Sequence, residues 1–395
     1  LRKVPRRSFS MAMAFDCSTP GWSVVAQLEA GFDPYSLQFA NGPGSLAANI
    51  GVPITAQNTN SDSSRAGQFY NSVGYVGVSS DFYGTLTVFR QNSLTLDAVI
   101  AYDPMSASYA FSPLGFSGTT CGVGDAEDCQ FSTSVKYRVN VGPVRIGALW
   151  QFGGYQLNNG SNGAGQVQLG GDINNLGFGT LSLDGIYSYV RDAVGLGLTG
   201  GTTDATGMPI GPFPGQILTA TISNNQSVML LGKYAVGGLR LYAGYEWVQF
   251  APPSDPQTAF TNIAGLPVGA AFGNGTAINN LAFSAGCAVA TVCSDKILQI
   301  VWTGAKYTII PGLDVIGAYY HYNQNTFTSA SCVNLGAHSQ CAGTFDAASA
   351  ALDWQFAKKF DVYIGFMFSQ VNGGLSNGYL ARNNFDPTAG LRFRF

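Results

Sequence analysis

Two alternations constrain this chain more than anything else in it. Within short segments, apolar residues fall at every second position. Between those segments, short and long connections take turns along the chain. In residues 144–152, Val144, Ile146, Ala148, Trp150 and Phe152 share one side, while Arg145, Gly147, Leu149 and Gln151 share the other. A period of two is that of a β-strand with one apolar face. The same rhythm recurs in residues 239–247, 348–356 and 361–368, and from Gly21 onward the chain reads as about fourteen strands.

The connections separate two ways of using such strands. Short turns are expected near 80–84, 140–143, 172–176, 236–238, 310–312 and 358–360. Long linkers cover roughly 33–67, 92–131, 154–164, 191–216, 251–295, 326–343 and 373–386. Long linkers inside a compact soluble domain count against that assignment. They suit a closed transmembrane barrel, with short turns at one rim and long loops at the other. Closure also removes the unpaired strand edges that lipid cannot satisfy.

Composition agrees. Only 10% of the 395 residues are charged, against about 25% in ordinary soluble domains. Aromatic residues reach 13%, and there are 51 glycines. Disordered chains have the opposite bias. A net charge of −3 lacks the basic surplus of a nucleic-acid binder, so no nucleic-acid partner is expected. No apolar run is long enough for a spanning helix. The fold class is therefore all-β, a transmembrane antiparallel barrel whose outer face is apolar only at alternate positions.

Six of the seven cysteines fall into close pairs: Cys121 with Cys129, Cys287 with Cys293, and Cys332 with Cys341. All three pairs lie in long linkers, and none has a zinc or redox CxxC spacing. Disulfides closing these loops imply an oxidising compartment. Cys17 is left over; Asp16 before it is not the small residue of a lipid-anchor cleavage site. Residues 1–20 read as a non-native or atypical segment. The bases Arg2, Lys3, Arg6 and Arg7 resemble an export signal, but the apolar stretch 11–15 is too short for its core.

Several stretches carry a family resemblance. They are GWSVVAQLEAGF (21–32), SVGYVGVSSDFYGTLTVFRQ (72–91), the linker DPMSASYAFSPLGFSGTTCGVGDAEDCQ (103–130), SVKYRVNVGPVRIGALWQF (134–152) and the terminal GLRFRF. Together they resemble the trimeric general porins of Gram-negative bacteria. The resemblance implies a sixteen-stranded outer-membrane barrel over residues 21–395. GWSVVAQLEAGF looks like the third family strand, so two opening strands are expected to be missing; a fourteen-stranded barrel is the alternative. It also implies a homotrimer in outer-membrane lipid. A terminal Phe395 preceded by Phe393 and Leu391 resembles the signal read by the barrel assembly machinery.

Family porins fold their third external loop into the barrel, where loop acids face wall bases across a constriction. Residues 92–131 match that loop in position and length. Asp97, Asp103, Asp125, Glu127 and Asp128 are its acids, although the cysteines beside the last three equally suit an external loop tip. FSPLGF (111–116) has Leu114 where the family often has an acid. On the wall, Arg90 matches a family arginine, and Lys136 and Arg138 open the next strand on its inward face. Arginine suits such a wall because it stays charged in any surroundings. Further inward bases are Arg145, Lys233, Arg240, Lys306 and Arg392; inward acids are Asp184, Glu246, Asp353 and Asp361.

Other chemistry finds little support. The run Gly195-x-Gly197-x-x-Gly200 spells a dinucleotide motif but precedes more loop, not a helix. The two histidines, His321 and His338, have no paired metal-ligand spacing. Tyr319, Tyr320 and Tyr322 around His321 read as an interfacial aromatic band. The expected protein is no enzyme and needs no cofactor or metal. It would pass small hydrophilic solutes and ions by passive diffusion across the outer membrane. The alternatives are a channel selective for a sugar or an anion, or an adhesin or structural barrel with a plugged lumen.

Overall fold

The computed structural model describes residues 7–16, 21–32, 73–108, 110–115, 130–153, 161, 163–193, 196–198, 218–220, 223–251, 296–326, 342–373 and 382–393. The strands are β1 (Arg7–Asp16), β2 (Trp22–Phe32), β3 (Val73–Ser80), β4 (Gly84–Asn92), β5 (Gln130–Val141), β6 (Val144–Gln151), β7 (Ala164–Leu176) and β8 (Gly179–Ala193). After the short β9 (Leu196–Leu198) and β10 (Leu218–Ala220) come β11 (Ser223–Val236), β12 (Leu239–Ala251), β13 (Lys296–Ile310) and β14 (Leu313–Gln324). Last are β15 (Gly343–Ala357), β16 (Phe360–Gly373) and β17 (Asn383–Phe393). Among the described residues one α-helix, α1 (Leu94–Tyr102), interrupts them.

All strands except β9 and β10 form one antiparallel sheet of fifteen, paired in chain order from β1 to β17; β9 and β10 pair with each other. Fourteen of the fifteen follow Gly21, matching the sequence rhythm. The fifteenth lies ahead of Gly21, in the segment expected to be non-native or atypical: residues 7–16 pair residue for residue with β2, from Arg7↔Phe32 to Asp16↔Ser23. Their alternation of Phe9, Met11, Met13 and Phe15 with small residues is a strand pattern that the flanking arginines obscured. Among the described residues the main sheet thus has fifteen strands, and no pairing joins β1 to β17.

One short turn also moves. β7 runs on to Leu176, so the turn is Gly177 and Phe178 instead of 172–176. The polar run Asp172–Asn175 looked like a turn. Instead it continues the strand past a register shift at Ile173/Leu176, with Asn175 at φ +62°. Arg145 and Ser182 hold Asp172 in place across the neighbouring strands.

The two faces of the sheet differ as the alternation requires. Val167, Leu169, Leu230, Ile364, Phe366, Leu391 and Phe393 are all exposed on the outer face. Leu149, Ile186, Met229, Ile300, Trp302, Tyr320 and Met367 are buried on the inner one. An apolar outer wall of this extent matches lipid, not water. Phe366 lies midway along β16 and packs its ring against Phe385 at 5.4 Å. Phe366→Arg should therefore destabilise the barrel by about 2–4 kcal/mol, whereas arginine at the outward Gln370 near the loop end should cost about 0–1. Denaturant titration of both variants in liposomes checks the difference; equal costs would place this face away from lipid.

Candidate functional site: the inserted segment and the lumen wall

The segment after β4 enters the space the sheet encloses. From sequence this stretch reads as linker throughout, yet residues 94–102 are helical. The local reasons are visible afterwards. Ser93 caps the helix by accepting a hydrogen bond from the Leu96 N–H, and Asp97 sits in the first turn, where its charge suits the helix dipole. Leu94, Ala98 and Tyr102 recur every four residues and form the buried face with Val99. This spacing could have revealed α1.

The segment does not hang in the opening; it is fastened round the inner wall. The Leu94 N–H donates to Gln166 Oε1 on β7 at 2.6 Å. The Tyr102 hydroxyl donates to Asp184 on β8 and also accepts from Arg145 Nη2 of β6 at 2.9 Å. Trp302 Nε1 on β13 donates to the Tyr102 carbonyl at 3.2 Å. Tyr320 of β14 donates to Asp103 Oδ1 at 2.7 Å, and Ser349 of β15 donates to the Phe111 carbonyl at 2.6 Å. The Phe111 ring meets Tyr363 of β16 edge-on at 5.9 Å. Contacts running from β6 to β16 show that the sheet curls around one interior.

Glycines make room for this belt. A Cβ on Gly244 would lie 2.1 Å from the Trp302 indole, and one on Gly304 would lie 2.6 Å from Pro104 Cγ. Leu94, Val99, Leu114, Ile300 and Trp302 are fully buried in consequence. Much of the interior at this level is therefore packed like a protein core.

The charged groups lie on the wall around the belt. Asp97 Oδ2 meets Lys136 Nζ at 2.9 Å and Arg138 Nη2 at 2.8 Å, both on β5, while Asn92 donates to Oδ1 at 3.0 Å. Burial alone would raise the Asp97 pKa, but the two cations and these hydrogen bonds hold it below the ordinary value. Asp103 goes the other way. It is 1% exposed, and burial pushes its carboxyl up despite hydrogen bonds from Tyr320 and the Ala107 N–H. On β6, Arg145 bridges Asp172 at 2.6 Å and Asp184 at 2.8 Å. Lys306 meets Asp314 at 2.6 Å, and Arg392 meets both Asp353 and Asp361.

No protein-family model matches the chain, and no curated protein sequence matches it. Solved structures do. An anion-selective porin from Comamonas acidovorans aligns with a TM-score of 0.56 at 12% identity, over 98% of this chain and 89% of that one. OmpF of Salmonella typhi, in complex with daunomycin, gives 0.53 at 13% identity over 98% and 89%. In-vitro folded OmpT, an outer membrane protein of Vibrio cholerae, gives 0.54 at 9% identity over 99% and 95%. The chain has the fold of an outer-membrane porin.

Within the porin fold, the sequence-derived candidates separate. Asp97, Lys136 and Arg138 come together as a loop acid against two wall bases. Asp103 is drawn instead into the packed interior beneath Tyr320. Arg90 stands in a bulge between Phe89 (φ +85°) and Gln91, where its Nη1 donates to Ser132 Oγ at 2.7 Å. Asp125, Glu127, Asp128, the six paired cysteines, Cys17 and Phe395 lie outside the described residues. Sequence reasoning missed Tyr102 and Asp172 as partners of Arg145, because neither lies at an inward strand position recognisable in advance. The tyrosine band also divides. Tyr320 and Tyr322 are buried inside, while Tyr319 faces outward with His321, whose Nδ1 lies 2.8 Å from Asp346 Oδ1.

Proposed function

We propose that the protein is an outer-membrane channel that lets small hydrophilic solutes and ions diffuse passively down their gradients, as a homotrimer. The observation that carries this reading is the Asp97–Lys136–Arg138 cluster. It sets a loop acid against wall bases inside a barrel whose outside is apolar. Such an arrangement narrows the path and imposes a transverse field on whatever passes. Ile100 and Ala101, on the side of α1 away from the packed wall, are exposed and would border the remaining opening. Transport of this kind uses no catalytic group, cofactor or metal.

A plugged structural barrel is the second reading, because the belt from Leu94 to Leu114 fills so much of the interior. Planar-bilayer recording of the purified protein separates the two. A diffusion channel gives stepwise conductance, in triplets for a homotrimer, that grows with salt concentration. A silent bilayer with folded protein would favour the plug.

A further inference from the structure

We propose that Lys233 and Arg240 form an anion-attracting step in the lumen, drawing small carboxylate- or phosphate-bearing solutes past the inserted segment. This rests on the channel reading and adds a solute class to it. The argument begins with pairing. Lys136, Arg138, Arg145, Lys306 and Arg392 each meet at least one carboxylate. Among the described residues, Lys233 and Arg240 meet none.

The register places these two together. Lys233 lies opposite Tyr242, and Ala235 lies opposite Arg240, so the two cations are diagonal neighbours on the inner face of β11 and β12. Arg240 is also directly opposite Lys306 on β13. The acids nearby are engaged elsewhere. Asp172 is held by Arg145 and Ser182, Asp184 by Arg145, Tyr102 and Gln168, and Asp314 by Lys306 and Thr308.

Lys233 also stands beside the narrow part of the path. Its Nζ is 3.5 Å from the Ala101 carbonyl and 5.1 Å from the centre of the Tyr102 ring. A carbonyl and a ring face stabilise an ammonium but do not cancel its charge. Uncompensated cations against low-dielectric walls focus a field that concentrates anions, and basic side chains set anion preference in pores. The described acids of the inserted segment do not oppose this, because Asp97 is clamped by two bases and Asp103 is buried.

The test measures reversal potential in planar bilayers under a KCl gradient, for wild type, Lys233→Gln/Arg240→Gln, Lys233→Arg, and Lys358→Gln on the β15–β16 turn. Wild type should prefer chloride. The double variant should still open, with its anion-to-cation permeability ratio reduced about seven-fold per charge removed, because a unit charge some 7 Å from the ion path in water favours the anion and disfavours the cation by about three-fold each. Lys233→Arg and Lys358→Gln should match wild type. Conductance steps with an unchanged ratio in the double variant overturn this proposal alone. A wild-type protein that gives no steps removes the channel reading, and this proposal with it.

Discussion

Asp97→Ala should lower the stability of the folded barrel by about 2–3 kcal/mol and loosen the inserted segment. Lys136, with its side chain 11% exposed, loses its ion-pair partner. Stranding one member of a buried pair costs about 3–5 kcal/mol; Asp97 is 23% exposed, which brings the figure down. Its carboxyl has a lowered pKa, so its contribution is fully present above the ordinary aspartate value. It fades as acid takes the pH below about 4 and through the lowered value. Wild type should therefore lose stability on acidification more steeply than Asp97→Ala, and the two melting curves should converge in acid. Asp103 does not mimic this, because a raised pKa makes its contribution grow, not fade, as the pH falls. Thermal melts in detergent at neutral and acid pH provide the check. Identical melts at neutral pH would show that the cluster holds nothing.

Trp302→Ala should cost more, about 3–5 kcal/mol. The indole is fully buried, covers Gly244, and donates to the Tyr102 carbonyl at the end of α1. Removing it opens a void between β12, β13 and the segment, and frees one of the anchors that keep the segment on the wall. Single-channel records should then show larger and noisier openings beside a lower melting temperature. Trp354→Ala is the control, since that ring is 48% exposed on the outer face and touches no part of the segment. Equal effects from the two variants would mean that the belt does not depend on its inner-wall anchors.

The anchors also show where sequence reading succeeds and stops. Lys136 and Arg138 could be assigned to the lumen because a strand's period of two fixes side from position alone. Arg145, Lys233, Arg240, Lys306 and Arg392 were readable for the same reason. Arg90 was not, because the bulge at Phe89 breaks the period just before it. Asp97 and Asp103 sit six residues apart in one linker and have opposite surroundings. Nothing local distinguishes them, since one meets cations on β5 and the other a tyrosine 217 residues away. Residues 7–16 carry a legible strand pattern behind their charged flank.

The sequence by itself determined an all-β chain with an apolar outer face, charges turned inward, and short turns alternating with long linkers. Each of those follows from spacing along the chain. Only the tertiary structure decided that residues 93–108 and 110–114 wrap the inner wall, that Asp97 is clamped while Asp103 is buried, and that Lys233 and Arg240 meet no carboxylate among the described residues. Pairing of that kind depends on distances between strands far apart in sequence, and the curl of the sheet around a single interior is what sets them.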